Sequence, residues 1–180
     1  MRHPARWAAL AVGSVVAVLG IVLATQVGTN PQADIQASRL LGQREPSFDA
    51  RTFDGQAVSS AGLAGKAVIV NFWNSWCTPC QQELPALKVF QAEHAADPSV
   101  AFVGILRDDT VSAARAYAAA TGMTWTLVGD PGSNLSLAFG TRGQPETFAI
   151  SPGGLIVASQ IGPASTKNLD TMLAAAKATP

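Results

Sequence analysis

Two cysteines occur in the whole sequence, Cys77 and Cys80, two residues apart in Trp76-Cys77-Thr78-Pro79-Cys80. Such a pair can attack a disulfide with one thiolate and release the resulting mixed disulfide with the second thiol. The apolar run 67–73 precedes the pair and a helical pattern over 78–95 follows it. The motif therefore opens a helix directly after a strand, the setting of a thiol–disulfide exchange site. At the helix entrance, unpaired N–H groups and the helix dipole favour negative charge, which lowers the pKa of Cys77. Cys80, one turn further in, is expected to be the more shielded thiol and to resolve the intermediate. Pro79 suits a first helical turn, where its missing N–H is not needed.

Two other uses of the pair fit poorly. Zinc takes three or four protein ligands, and beyond the cysteines the chain offers only His3 and His94. No metal and no cofactor are expected. As a structural staple, the pair closes so short a loop that it contributes only about 2 kcal/mol before strain.

The elements around the motif follow from periodicity and turn chemistry. Residues 47–53 can extend, Asp54-Gly55 is a hairpin-turn dipeptide, and 56–58 can return. Residues 59–65 form a short turn or helix. The run 67–73 is apolar on both faces, as in the centre of a covered sheet. In the helix over 78–95, Leu84, Leu87, Val89 and Phe90 make a partly buried face, and Pro85 is expected to kink it. A strand follows over 100–106. Asp108 or Asp109 can cap a helix that runs to Thr121 and stops at Gly122. A short strand over 125–128, a turn at Asp130-Pro131, a hairpin over 147–161 around Pro152-Gly153-Gly154, and a helix over 166–178 complete the chain. This order predicts an α/β fold with a mixed sheet and helices on both faces.

The N-terminus has a different character. Arg2 and Arg6 precede the apolar residues 7–27, and no charge occurs between Arg6 and Asp34. About 20 such residues span the hydrocarbon core of a bilayer. Residues 1–28 are thus expected to be a membrane anchor or a signal sequence, with 29–45 a linker and 46–180 the catalytic domain. Residues 23–28 offer no clean small-x-small cleavage site. The basic residues before the span keep the N-terminus cytoplasmic and send the domain across the membrane. Secretion after signal cleavage is the alternative. The chain has 12 basic and 12 acidic residues; without Arg2 and Arg6, 10 basic stand against 12 acidic, a net charge of −2. No basic patch points to nucleic acid.

The segment Asn71-Phe72-Trp73-Asn74-Ser75-Trp76-Cys77-Thr78-Pro79-Cys80, together with Gly143-Gln144-Pro145-Glu146-Thr147-Phe148, resembles the thioredoxin superfamily. More narrowly it is similar to the membrane-anchored TlpA/ResA/CcmG (DsbE) branch, from about residue 46 to 176. The resemblance implies a thioredoxin-like sheet with an added N-terminal β-hairpin and an N-terminal transmembrane helix. It makes Pro145 a cis-proline facing the disulfide. The backbone at Gln144 can then pair with an extended substrate peptide, and Trp76 covers the disulfide as part of the same surface. Trp73 is expected in the core. Thioredoxin has a buried aspartate at the position of Asn71, and an asparagine cannot titrate. The branch carries a glutamate where Glu83 stands. At i+3 from Cys80 it can approach the site and tune the cysteine pKa values or relay a proton. A solvated glutamate on a helix surface is the alternative. Glu146 is similar to an acidic residue after the cis-proline in CcmG-like proteins.

By this resemblance the chain is an extracytoplasmic enzyme that reduces disulfides in exported proteins, with apocytochrome c as substrate and a CcdA- or DsbD-type membrane protein as electron donor. Three other readings stand beside it. The same cysteines can oxidise thiols. A peroxidase of peroxiredoxin type requires proline at Val70 and threonine at Asn74. A non-catalytic peptide-binding module would not need the intact motif.

Overall fold

The computed structural model describes residues 13–21 and 38–180. The chain divides into two compact units, Met1–Ile35 and Gln36–Pro180. Of the first unit, residues 13–21 are helical and exposed. Among the described residues no helix is long and apolar enough to cross a membrane. The anchor expected over 1–28 lies largely outside them.

The second unit is built on a five-stranded sheet. Its strands are β3 (Ala67–Trp73), β4 (Val100–Leu106), β5 (Thr126–Gly129), β6 (Glu146–Ile150) and β7 (Ile156–Ile161), in the order β5-β4-β3-β6-β7. β4 lies parallel to β3 and to β5, while β6 runs antiparallel to β3 and to β7. All seven residues of β3 are buried. Its side chains alternate: Ala67, Ile69 and Trp73 join one apolar cluster, and Val68, Val70 and Phe72 the other. A strand flanked on both faces needs no polar side, which is why 67–73 reads as a continuous apolar run.

The long helices serve the first cluster. They are α2 (Thr78–His94), α3 (Val111–Thr121) and α5 (Thr166–Ala178), contributing Leu87 and Phe90, Ala114 and Ala118, and Leu169 and Leu173. The short helices α1 (Ser60–Leu63) and α4 (Asn134–Ala138) place Leu63 and Leu135 against the second cluster. Phe72, Phe139 and Phe148 pack there with centroids 5.3–5.9 Å apart. The mixed sheet with helices on both faces is as expected from the element order.

Gly104 of β4 has no room for a side chain beside the first cluster. A Cβ there would lie 2.7 Å from Leu127 Cδ2, 3.0 Å from Trp73 Nε1 and 3.1 Å from Trp125 Nε1. Two rigid indoles leave little room to retreat. Gly104→Ala is expected to destabilise the domain by about 1–3 kcal/mol through overpacking, measured by urea unfolding; an unchanged midpoint would show that the indoles give way.

Several local expectations are corrected. The hairpin strands are only β1 (Asp49–Arg51) and β2 (Ala57–Ser59). Thr52 keeps a hairpin bond, its N–H donating to the Gln56 carbonyl at 2.9 Å, and also bridges to Val128, while Phe53 N–H donates to the Leu127 carbonyl at 3.1 Å, so the end of the hairpin covers the edge of β5. Within the segment expected as a linker, residues 42–45 bond to the other end of the sheet. Gly42 N–H donates to the Ile156 carbonyl, Ile156 N–H to the Gln43 carbonyl and Glu45 N–H to the Gly154 carbonyl, at 2.8–2.9 Å. Thr110 caps α3, its hydroxyl accepting from Ala113 N–H at 3.2 Å. Asp108 cannot serve, since its backbone is left-handed at φ 53°, and Asp109 is engaged elsewhere. Gly122 ends α3 at φ 71°, as expected of a left-handed C-cap. α4 was not legible in the sequence: Asp130, four residues before it, accepts from Leu135 N–H, Ser136 N–H and the Ser136 hydroxyl at 2.7–2.9 Å.

Candidate active site

β3 ends at Trp73 and α2 begins at Thr78, so the redox motif occupies the turn between them. Cys77 is the N-cap, and its Sγ accepts from the Cys80 N–H at 3.1 Å. Cys77 and Cys80 are joined as a disulfide, with Cα atoms 5.2 Å apart. A thiolate at Cys77 would receive the same N–H, which stabilises the charged form.

Cys80 is not the more shielded of the two: Cys77 is 5% exposed and Cys80 6%. They differ in what they face. Cys77 Sγ lies 3.6 Å from the Gln144 carbonyl oxygen. The Gln144–Pro145 peptide is cis, Pro145 is buried, and Gln144 is half-buried beside the disulfide. Trp76 is 61% exposed next to them, its indole N–H donating to the Asp108 carbonyl at 3.2 Å. Trp76, Cys77 and Gln144 thus form one surface, open on the Trp76 side. Cys80 faces inward, onto a cavity of about 10 Å³ that Asn74, Glu83 and Tyr117 also line.

Glu83 is 2% exposed, which excludes the solvated alternative. Its Oε1 accepts from Asn71 Nδ2 at 2.9 Å and its Oε2 from Ala164 N–H at 2.8 Å. Asn71 Nδ2 also donates to Thr147 Oγ1 at 3.0 Å, across the register pair Asn71–Thr147. This network ties α2 to β3, β6 and the start of α5. Burial pushes the Glu83 carboxyl up to about 7, against the lowering effect of the Ala164 and Asn71 hydrogen bonds. Glu146 is 1% exposed and pairs with Phe72 across the sheet. Its Oε2 accepts from Arg142 N–H at 2.9 Å. Burial raises its pKa, opposed by that hydrogen bond and by the charges of Arg142 and Arg107.

The loop after β4 was missed as part of the site. Asp109 Oδ2 accepts from Ser75 N–H at 2.9 Å and from the Ser75 hydroxyl at 2.6 Å. Arg107 Nη1 donates to Gln144 Oε1 at 3.3 Å, and its Nε lies 3.4 Å from Asp108 Oδ2. Three consecutive residues hold Ser75, Trp76 and Gln144 in place. Separations of 32–37 residues hide these contacts from any local pattern, and the aspartates carry an equally good local explanation as helix caps. Trp73 sits in the core as expected, with ring centroids 6.1 Å from Tyr117 and 6.5 Å from Phe53.

Clefts of about 420 and 650 Å³ lie along the hairpin and the β4–β5 region, and neither includes a cysteine. Among the described residues, one group of metal-competent side chains lies close together, Glu93, His94 and Asp170. It stands at the far end of α2 from the disulfide. The disulfide instead meets the surface of Trp76 and Gln144 through Cys77.

The AhpC/TSA family profile matches residues 41–159. The chain belongs to this family. It is 34% identical over 139 residues to the thiol:disulfide interchange protein HelX of Rhodobacter capsulatus, covering 74% of this chain and 70% of HelX. It is 27% identical over 149 residues to the thiol-disulfide oxidoreductase ResA of Halalkalibacterium halodurans, covering 83% and 84%. The crystal structure of a thiol:disulfide interchange protein DsbE from Chlorobium tepidum superposes with a TM-score of 0.69 at 26% identity, over 76% of this chain and 96% of that one. The protein is a thiol–disulfide oxidoreductase of ResA/DsbE/HelX type with a Cys77–Cys80 pair and a thioredoxin-like fold. Thiol–disulfide exchange proceeds through such a pair.

Proposed function

We propose that this oxidoreductase works outside the cytoplasm, held by its N-terminal apolar segment, and reduces disulfides in exported proteins. Apocytochrome c is the substrate on this reading, and a CcdA- or DsbD-type membrane protein returns the electrons. In each turnover Cys77 thiolate attacks a substrate disulfide, forming a mixed disulfide and expelling one substrate thiolate. Cys80 then attacks Cys77 Sγ, expels the second substrate thiolate and leaves the Cys77–Cys80 disulfide. Two electrons pass to the substrate, and a membrane dithiol resupplies them.

The observation that carries the direction is Glu83, buried beneath the disulfide and tied to Asn71. Strong oxidants of this chemistry owe their potential to a stabilised thiolate. A carboxylate close to Cys80 opposes thiolate formation and moves the potential toward the reducing end, about −270 mV for thioredoxin against about −120 mV for DsbA. Oxidation has one observation on its side, the Cys80 N–H on Cys77 Sγ. That contact follows from any C-x-x-C at a helix start, so it does not discriminate. The uncharged stretch between Arg6 and Asp34 supports the compartment.

Trapping in cells tests the reading. Cys80→Ser removes the resolving thiol, so substrates stay bound on Cys77 and mass spectrometry names them. Recovery of apocytochromes is the expected result. A broad set of exported proteins without them would favour general oxidation.

A further inference from the structure

Asn74 is wholly buried, three residues before Cys77. Its amide is fixed from one side, because Nδ2 donates to the Arg107 carbonyl at 3.1 Å. A flipped amide would set oxygen against oxygen, so Oδ1 is the end directed away from Arg107. No protein donor reaches Oδ1, and buried carbonyls are seldom left in that condition. Asn74 and Cys80 line the same cavity of about 10 Å³, roughly the space one water occupies.

Trp73 also lines the cavity; its indole Nε1, lying close to Gly104, has no acceptor and makes no hydrogen bond to Oδ1. Both Glu83 oxygens are held by Asn71 Nδ2 and Ala164 N–H. Tyr117, reaching the cavity from α3, makes no hydrogen bond to Oδ1, and burial raises its pKa. The Arg107 guanidinium turns toward Gln144 and Asp108. Among these groups only the Cys80 sulfur changes with redox state: it carries no proton in the disulfide and gains one on reduction.

We propose that Asn74 Oδ1 accepts the hydrogen bond of the Cys80 thiol in the dithiol protein, directly or through one water, and so draws the redox equilibrium toward the dithiol. In reduction, a partner thiolate attacks Cys77 Sγ, the Cys77–Cys80 bond breaks, and its electron pair leaves on Cys80. The Cys80 thiolate takes one of the two protons released by the partner dithiol, and that S–H meets Oδ1. The second partner thiolate then displaces Cys77, which takes the other proton. The partner dithiol is oxidised by two electrons to a disulfide, and the protein pair is reduced by the same two. Oδ1 can only accept, so it stabilises the thiol over the thiolate as well as over the disulfide. The effect rests on exchange at Cys77–Cys80 and is independent of which direction prevails in the cell.

The test compares full-length wild type with Asn74→Ala, each equilibrated with reduced and oxidised glutathione and read by thiol alkylation. Loss of one net hydrogen bond made only in the dithiol shifts the equilibrium constant about 2–10-fold toward the disulfide. An asparagine that merely holds the Arg107 carbonyl acts alike on both redox forms. An unchanged constant, or a shift toward the dithiol, therefore overturns the proposal. The second readout is the Cys80 thiol titration in a Cys77→Ser background, where Asn74→Ala is expected to lower the pKa; an unchanged or raised value overturns it too. Asn74→Ser, with a hydroxyl in place of the amide, replaces the alanine variant if that one does not fold and must shift both readouts in the same sense.

Discussion

Cys77→Ser leaves the protein without disulfide exchange, its rate of dithiothreitol-driven insulin reduction falling more than about 100-fold, to the uncatalysed background. That is the scale expected when a covalent nucleophile is removed. The serine hydroxyl stays protonated at neutral pH and forms no mixed disulfide. Cys80 cannot take over, because it faces the inner cavity beside Asn74 and Glu83, away from the Trp76–Gln144 surface. Retention of a tenth or more of the wild-type rate would show that substrates reach Cys80, and the division of labour between the two sulfurs would fall.

The second large effect concerns pH and stability. The Glu83 carboxyl titrates at about 7 in the folded protein against 4.5 ordinarily. Between those values the folded state holds a proton that the unfolded chain has released. The stability this contributes is fully present below about pH 4.5 and is lost as pH rises through about 7, a change of about 3 kcal/mol. Glu83→Gln removes the titration. Its stability measured by urea unfolding from pH 5 to pH 8 is expected to lose about 2.5 kcal/mol less than wild type, the part of that change that falls in this window. Glu45 and Glu146 titrate in the same sense, so a residual slope persists and the difference between variant and wild type is the quantity to read. The cysteine titrations of Glu83→Gln should also move down, since the carboxylate no longer opposes the thiolates. Parallel pH–stability curves and unchanged thiol titrations together would reduce Glu83 to a packing residue.

Much of the fold was open to reading from local pattern. Seven consecutive apolar residues at 67–73 can be satisfied only between two covered faces, and β3 lies in the middle of the sheet. Gly122 and Asp54-Gly55 act through their own backbone conformations, so they keep their meaning without tertiary context. Where the expectations failed, a distant partner had redirected a locally sensible residue. Asp109 is a good helix cap in isolation, but the Ser75 N–H and hydroxyl, 34 residues away, hold its carboxylate and leave the cap to Thr110. Phe53 continues a strand in pattern, but its N–H goes to the Leu127 carbonyl at the open edge of β5.

The sequence by itself determined the reacting atoms: two cysteines at this spacing, entering a helix from a strand, can carry out disulfide exchange. The resemblance added Pro145 as their facing residue. Only the tertiary structure decided the environment of those atoms. A glutamate at i+3 reads equally well as a solvated side chain or a buried one, and packing against Asn71 and Ala164 made Glu83 a buried acid. Near-equal exposure of the two sulfurs likewise placed their difference in what each faces, Gln144 for Cys77 and the cavity of Asn74 for Cys80. Reactivity type follows from covalent chemistry and local backbone, which a sequence carries. Proton affinity and redox balance follow from desolvation and hydrogen bonds supplied by residues far apart in the chain, which only the folded sheet and helices bring together.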